Sequence, residues 1–343
     1  MPEGPEVALF ARYLDQHVAG RSLTNLSINS GSRYSKDGLS HHETLKSLLP
    51  LNILKVRSRG KKIVFELEKD VALVSTLGLE GKWTFDDSIK HGNLWLTIAD
   101  EFDRIKNCYY CDSRHFGSLT IHFSRGSLDE RLFEIGPDLL FDDVTLKMWM
   151  DKVRSNRLQK LQICNFLLMQ QHFSGVGNYV RAEALYRAKV RPDARLFELT
   201  EEDHARVLHN VVAVLKESYE SQGASLHTFH NFDGTKGKFQ VVVYNHKTDP
   251  NGHPVISSIF EDGRNIYWVP KVQTCPTEYV SDKLVIDIEK LKASGGRGEG
   301  KYSVVNLKAF AKDRGLSTAG SKDELLKRLI SDLSSSNPIE SHI

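Results

Sequence analysis

Apolar positions along this chain change their period four times. In the first twenty residues Val7, Phe10, Leu14 and Val18 recur at three- and four-residue steps, the spacing of a helix with one buried face. Gly4 before Pro5 suits its start, and Gly20 its stop. From Arg21 to about Phe123 the period falls to two or to short apolar runs: LTNLSI, LNILKVRS, KIVFELE, VALVSTL, NLWLTIA and SLTIHF. Polar or glycine-containing breaks separate them, which predicts six or more mostly antiparallel strands. The strands end near Ser124, and EIGPDLL reads as a hinge and entry turn. Residues 144–220 return to helical spacing. Leu158, Leu161, Ile163, Phe166, Leu167 and Met169 predict one helix, and Val207 to Tyr219 another. The glycine-broken turn SGVGNYVRAEALYRA lies between them and feeds a third. FQVVVYN and NIYWVPKVQ predict two strands, ASGGRGEGK has the composition of a linker, and VVNLKAFAKDRGLSTAGSKDELLKRLI predicts a helix, an extended turn and a second helix. Ser321 with Glu324 forms a capping box for that last helix. The end, SSSNPIESHI, has the composition of a disordered tail.

Composition bounds the rest. At 343 residues the chain exceeds one comfortable core, so two or three domains are expected. With 40% hydrophobic and 26% charged residues it reads as an ordinary globular protein. No apolar run approaches the roughly 18 residues of a membrane span. MPEGPEVALF lacks the pattern of a secretory signal, and four cysteines argue against a disulfide scaffold. Both point to an intracellular, reducing compartment. The formal net charge of +2 does not by itself indicate a nucleic-acid binder. The charge is uneven, however. From Lys292 to Ile343 there are nine basic and six acidic residues, a net of +3, so the remainder sums to −1. Within that remainder Lys55, Arg57, Arg59, Lys61 and Lys62 are crowded together. Strand alternation throws the first four to one face, either a solvated edge or a phosphate-binding face. Lys62 points the other way and reads as solvated.

The N-terminus carries the strongest chemical signal. Once Met1 is removed, Pro2 is a secondary amine with Glu3 beside it. An α-amino group has a pKa of about 7.7–8.0, so a neutral fraction exists near physiological pH. Such an amine attacking a sugar C1′ gives an iminium ion, and an adjacent carboxylic acid can protonate the departing or ring oxygen. The plainer reading of MPEGPE is a helix start. Metal signals are poor. Cys108 and Cys111 form a CxxC without a second pair, and read as buried strand cysteines. His41, His42 and Glu43 lack the cysteine partners of a zinc deaminase. His227 and His230 read as surface residues rather than metal ligands.

These pieces resemble the Fpg/Nei family of DNA glycosylase/AP lyases, in particular its Nei-like branch. MPEGPEV opens the chain as in that family. Arg59-Gly60-Lys61 resembles its RGK turn, Leu77-Gly78-Leu79-Glu80-Gly81 its LGMSG segment, and Asp112-Ser113-Arg114-His115-Phe116-Gly117 its DPRRFG loop. Ile135-Gly136-Pro137-Asp138 resembles its LGPD hinge, Gly175-Val176-Gly177-Asn178-Tyr179 its GVGN turn, and Asp233-Gly234 to Gln240 the entry to its last hairpin. The resemblance covers about residues 1–273 and implies an α+β fold. Its parts are an N-terminal β-sandwich domain (1–125), a hinge (126–143), a helix–two-turn–helix domain (144–238) and a finger hairpin (239–273). A linker (274–301), a SAP-like DNA-binding motif (302–335) and the tail (336–343) follow.

The same resemblance implies site roles. Pro2, Glu3 and Lys61 would be catalytic. Asn178, Arg264, Gly175 and Gly177 would meet DNA phosphate. Arg114 and Phe116, with Leu79, would fill the space left by a flipped nucleotide. His227 and His230 stand where relatives have a serine-leucine-arginine run, a surface or DNA-backbone position, and the loss of that arginine leaves base recognition open. The four zinc-cysteine positions of the family's finger fall on Asn251, Pro254, Val269 and Val272, so no metal and no cofactor is expected. The implied activity is excision of oxidised pyrimidines and ring-opened purines in base-excision repair, followed by β,δ-elimination. The partner is damaged double-stranded DNA, with single-stranded or bubble DNA as a further form, bound by a monomer. Two alternatives stand beside it: an Fpg-like preference for 8-oxoguanine, and a non-catalytic damage-sensing DNA-binding protein.

Overall fold

The computed structural model describes residues 2–88, 92–226, 232, 234–276, 304, 307, 308, 311 and 316–335. They belong to two compact units, Met1–Thr277 and Glu278–Ile343.

The first unit opens with helix α1 (Gly4–Val18). Glu3 precedes it in extended conformation, and the Glu6 carboxylate accepts the Glu3 N–H at 2.9 Å, closing the first turn. The four positions of the expected apolar stripe, Val7, Phe10, Leu14 and Val18, are buried in the core of the strand region. Ala8, one step round the helix, is buried in a second core among the later helices. One short helix therefore seats Pro2 and Glu3 at the junction of two cores.

The strand region is a single eight-stranded antiparallel sheet. In chain order it contains β1 (Ser22–Ile28), helices α2 (Arg33–Asp37) and α3 (His42–Leu48), β2 (Leu51–Arg59), β3 (Lys62–Leu67), β4 (Ala72–Thr76), β5 (Lys82–Thr84), β6 (Gly92–Ala99), β7 (Ile105–Cys111) and β8 (Ser118–His122). The spatial order is β5-β7-β6-β1-β2-β3-β4-β8. β1 and β2 meet over only two residue pairs, Ser22–Asn52 and Leu23–Leu51, so the sheet has a narrow waist. Side chains from both sides of the waist, among them Leu26, Leu96, Phe65 and Trp83, share one core. Helices α2 and α3 were not expected; five and seven residues are too few to show a period. Helix α4 (Arg125–Phe133) stands where the hinge was expected to begin. Its Leu128 and Leu132 cover Val64, Ala72 and Val74 on the outer face of the sheet, and the Ser124 hydroxyl caps it by accepting the Ser127 N–H at 3.1 Å.

The helical part contains α5 (Leu146–Val153), α6 (Ile163–Phe166), α7 (Asn178–Ala188) and α8 (Glu201–Glu220) around Trp149, Phe166, Phe173, Tyr179 and Val211. The long helix expected from Leu158 to Met169 is only the four residues of α6. The Ile163 and Cys164 amides bond the Ala194 and Pro192 carbonyls instead of the chain before them, which stops any earlier helix. FQVVVYN is not a strand either. The amides of Val242, Val243 and Tyr244 all donate to the buried Glu183 carboxylate, at 2.8–3.0 Å, and are lost to a ladder. The hairpin forms later, from β9 (Ile256–Ile259) and β10 (Asn265–Trp268). Residues 274–276, expected as linker, are bound: Cys275 donates to the Lys189 carbonyl and accepts from Arg191.

In the second unit, helix α9 (Lys322–Ser335) begins with the expected capping box: the Glu324 carboxylate accepts the Ser321 N–H, and the Ser321 hydroxyl accepts the Glu324 N–H at 3.4 Å. Leu307, Ala311, Leu325, Leu326 and Leu329 are its buried core, with Leu316 packed against it. Most of the expected linker, the whole tail after residue 335, His227, His230 and Asp233 lie outside the described residues. Among the described residues no helix is long and apolar enough to cross a membrane.

Candidate active site

The Glu3 carboxylate lies at the N-terminus of α7, where it accepts the Tyr179 N–H at 2.9 Å and the Val180 N–H at 3.2 Å. Those amides are among the donors that a helix leaves unpaired in its first turn, and the helix dipole also favours an anion there. Burial acts in the opposite direction and wins. It raises the carboxyl pKa to about 7, with Glu6 adding to the rise and Lys61 and the two amides opposing it. Glu6 is equally buried; it also accepts the Tyr179 hydroxyl at 3.0 Å and the Ala224 N–H at 3.0 Å. Pro2 is buried beside them.

The glycine turn before α7 fits this N-terminus closely. The Gly4 N–H donates to the Gly175 carbonyl at 2.8 Å, and Gly175 has φ +101°. A Cβ on Gly177 would lie 2.1 Å from the Glu3 Cδ, and one on Gly4 would lie 2.9 Å from Gly175. Gly4 and Gly177 are thus required by close approach, whereas Gly175, where a Cβ would meet only ordinary contacts, is required by its positive φ. Gly177→Ala is expected to destabilise by about 1–3 kcal/mol through overpacking. Thermal unfolding should show it as a Tm lower by several degrees, and an unchanged Tm would show that Glu3 is free to move aside.

The Arg59-Gly60-Lys61 turn joins β2 to β3 and is tied to the hinge. The Gly60 N–H donates to the Asp138 carboxylate at 2.7 Å, and a Cβ there would meet Ser174 at 2.7 Å. Gly60 has φ +54°, so glycine answers both demands. Lys61 is half-buried. Burial lowers the pKa of its ammonium group, Arg264 and Arg181 lower it further, and Glu3 and Glu6 oppose the change. Lys62 is not solvated as expected. It is buried, with Nζ donating to the Arg131 carbonyl at 3.1 Å and 3.8 Å from Glu134. Helix α4 covers that face of the sheet, which the sequence pattern did not show. Two of the four cations in the row are paired: Arg57 with Glu66 at 2.6 Å and Arg59 with Asp142 at 3.2 Å. Cys108 and Cys111 are free, buried strand cysteines as expected.

Asn178 and Arg264 come together through the hairpin. The Asn178 side-chain amide donates to the Asn265 carbonyl at 2.9 Å, and Arg264 is exposed in the turn before β10. The reading from sequence missed Arg181. Its guanidinium group is wholly buried and donates to Asp262 at 2.7 Å and to the Cys164 carbonyl at 3.1 Å. The other Asp262 oxygen accepts the Arg264 N–H at 3.0 Å. A charged residue inside the helical stretch YVRAEAL was the available signal, since arginine is rarely buried without a partner.

Leu79, Arg114 and Phe116 occupy two adjoining loops. A Cβ on Gly78 would lie 2.5 Å from the Gly117 N and 2.7 Å from the Phe116 carbonyl carbon, so the loops touch through backbone. Phe116 is 66% exposed, which excludes a core role for it. Arg114 is exposed and 3.3 Å from Glu80, a surface pair of little strength.

Buried Pro2, a carboxyl group titrating near neutrality, and a lysine with a lowered pKa thus share one junction. Known proteins match over the same regions. The description "Formamidopyrimidine-DNA glycosylase N-terminal domain" matches residues 1–119, "Formamidopyrimidine-DNA glycosylase H2TH domain" matches 135–230, and "SAP domain" matches 300–334. The formamidopyrimidine-DNA glycosylase of Exiguobacterium sp. is 30% identical over 287 residues, spanning 80% of this chain and 99% of that protein. The chain belongs to the formamidopyrimidine-DNA glycosylase family. The enzyme of that name from Mycoplasma mobile is 28% identical over 278 residues, spanning 80% of this chain and 99% of its own length. Among solved structures, the MutM (FPG) protein of Thermus thermophilus superposes with a TM-score of 0.69 at 28% identity, covering 79% of this chain and 98% of that one. A Lactococcus lactis FPG mutant bound to Fapy-dG containing DNA gives 0.69 at 27% identity, covering 79% and 99%. This glycosylase is accordingly a DNA glycosylase/AP lyase of the DNA-repair class with an added SAP domain.

Membership corrects one expectation. A chain without a cofactor was expected, but members of this family usually carry a zinc finger. The hairpin of this chain departs from that pattern in its side chains. At the four family cysteine positions, Val269 is buried in the helical core and Val272 packs against it, while Asn251 and Pro254 complete the set. Among the described residues, no group of three or more His, Cys, Asp or Glu could hold a metal ion. These side chains do not fit a tetrahedral zinc site, and no step proposed for this chain passes through a metal.

Proposed function

We propose that this glycosylase removes oxidised bases from damaged duplex DNA, ring-opened purines foremost, through a Schiff base on Pro2. The observation that carries the reading is the burial of Pro2 and Glu3 together at the N-terminus of α7, with Glu3 bonded by the Tyr179 and Val180 amides. In this mechanism the Pro2 nitrogen bonds to C1′ as the bond from C1′ to the base breaks, and the proton that this nitrogen loses goes to the departing base. Glu3 delivers its proton to the ring oxygen, the sugar opens, and the nitrogen lone pair completes the iminium ion. Loss of a C2′ proton then expels the 3′ phosphate, and a second elimination expels the 5′ phosphate. Lys61 holds phosphate or moves protons in these steps. Asn178 and Arg264, with the turn at Gly175 and Gly177, fix the flanking backbone, and Arg114, Phe116 and Leu79 occupy the gap in the duplex. The protein acts as a monomer.

Ring-opened purines are favoured by the relatives, which are named for formamidopyrimidine, and by the Fapy-dG containing DNA bound to the Lactococcus lactis protein. Oxidised pyrimidines, the Nei-like preference, rest on MPEGPE at the N-terminus. The second reading, 8-oxoguanine, is favoured by a MutM structure in complex with carbocyclic 8-oxo-G containing DNA, at a TM-score of 0.68 and 27% identity. Single-turnover cleavage of a panel of lesion duplexes separates them. Faster release of formamidopyrimidines and oxidised pyrimidines than of 8-oxoguanine supports the proposal; the reverse order transfers it to the second reading. No cleavage and no covalent adduct on any lesion would leave a damage-sensing binder.

Removal of residues 278–343 tests the SAP domain. The truncated protein is expected to keep its single-turnover rate on saturating DNA, to bind more weakly, and to show a shallower salt dependence. Electrophoretic mobility shifts over a salt series measure this, and an unchanged slope would count against phosphate contact by that domain.

A further inference from the structure

The structure assigns Arg33, on the short helix α2, as the positioning residue for the loop that presents Phe116; this rests on the proposed role of Phe116 in the duplex gap. The Arg33 guanidinium group donates from one nitrogen to the His115 carbonyl, at 2.8 Å, and from the other to the Gly117 carbonyl. One planar fork therefore holds the two carbonyls that flank Phe116, a geometry that lysine cannot reproduce. The fork is itself anchored. Arg33 lies over the Tyr34 ring at 4.8 Å and donates to its hydroxyl group, and that hydroxyl accepts the Leu119 N–H at 2.9 Å at the start of β8. The loop is also braced from inside. The buried Asp112 carboxylate accepts the Gly117 N–H at 2.7 Å, while the Asp112 N–H donates to Asn93 at 2.6 Å. His115 has φ +58°, a conformation that side chains rarely adopt and that these bonds maintain.

The result is a 66% exposed phenylalanine on a backbone held from both sides. Separating stacked bases costs a few kcal/mol. A side chain on a yielding loop would be pushed back rather than hold the stack open. Arg33 thus acts through Phe116, and only where there is a stack to open. A single-stranded substrate makes no such demand.

The test compares Arg33→Ala, Arg33→Lys and Phe116→Ala in the full-length chain on one lesion in a duplex, and on a single-stranded abasic oligonucleotide. The readouts are single-turnover cleavage and borohydride adduct yield. Both Arg33 variants are expected to lose about tenfold or more on the duplex, roughly 1.4 kcal/mol, and less than about twofold on the single strand. Arg33→Ala should add nothing to Phe116→Ala on the duplex. Equal losses on both substrates, or additive losses in the double variant, would overturn the inference and leave Arg33 a structural residue. Arg33→Lys, which keeps the charge, serves where Arg33→Ala does not fold. If Phe116→Ala shows no duplex-specific loss, the proposed role of Phe116 fails first and the inference falls with it.

Discussion

Replacing Glu3 with Gln is expected to reduce base excision by about 10²–10⁴-fold, the usual contribution of a positioned acid. The amide cannot release a proton to the ring oxygen. It also presents an NH2 group to one of the Tyr179 and Val180 amides, where the carboxylate accepts from both. An abasic site made beforehand has already lost its base and opens its ring without help, so strand cleavage there should fall much less. The pH dependence follows from the titration of Glu3. The acid must be protonated, and burial raises its pKa to about 7. Base excision should therefore decline as pH rises through 7, and this limb should vanish in Glu3→Gln. Stability changes in the same window. A carboxyl group whose pKa is raised in the folded state favours folding most below its ordinary value of 4.5, and that advantage is lost as pH rises through about 7. The loss is on the order of 3 kcal/mol. The Tm of Glu3→Gln should therefore rise relative to that of the unmodified protein between pH 4.5 and pH 8. A gap independent of pH would contradict the burial of an ionisable Glu3.

Blocking the Pro2 nitrogen is expected to abolish activity altogether. An N-terminal extension that resists processing, or acetylation of the amine, leaves no lone pair to form the iminium ion. Glycosylase and lyase steps should both fall to background on every lesion, with DNA binding weakened far less, because Arg264 and the SAP domain remain. A blocked protein that still cuts abasic DNA would place the nucleophile elsewhere.

The antiparallel strands and the first helix were legible from periodicity because they are long enough to repeat. The α1 stripe, the strand runs and the capping box at Ser321 were all found where expected. What escaped depended on single side chains. Glu183 diverts three amides and so abolishes a strand that Val241, Val242 and Val243 strongly suggest. The four-residue α6 replaces a long helix because the Ile163 and Cys164 amides find the carbonyls of Ala194 and Pro192, far along the chain. Lys62 alternates outward from Lys61 correctly, yet α4 covers the face it points to. At the site, Glu3, Lys61 and the glycine turn were visible as motifs. Arg33 and Arg181 were not, since each works through a carbonyl or carboxylate that only the fold brings near. Family membership overturned the expectation that no cofactor belongs here, a point that spacing within one sequence could not test.

Lys61 gives the central claim a rival within the same site, since a half-buried lysine of lowered pKa is itself able to form a Schiff base. The measurement that decides is mass mapping of the borohydride-reduced adduct formed with abasic or formamidopyrimidine-containing duplex. The expected result is a processed chain beginning at Pro2 and a single adduct on the N-terminal peptide. An adduct on the peptide that contains Lys61, or a chain that reacts with Met1 still in place, would contradict it.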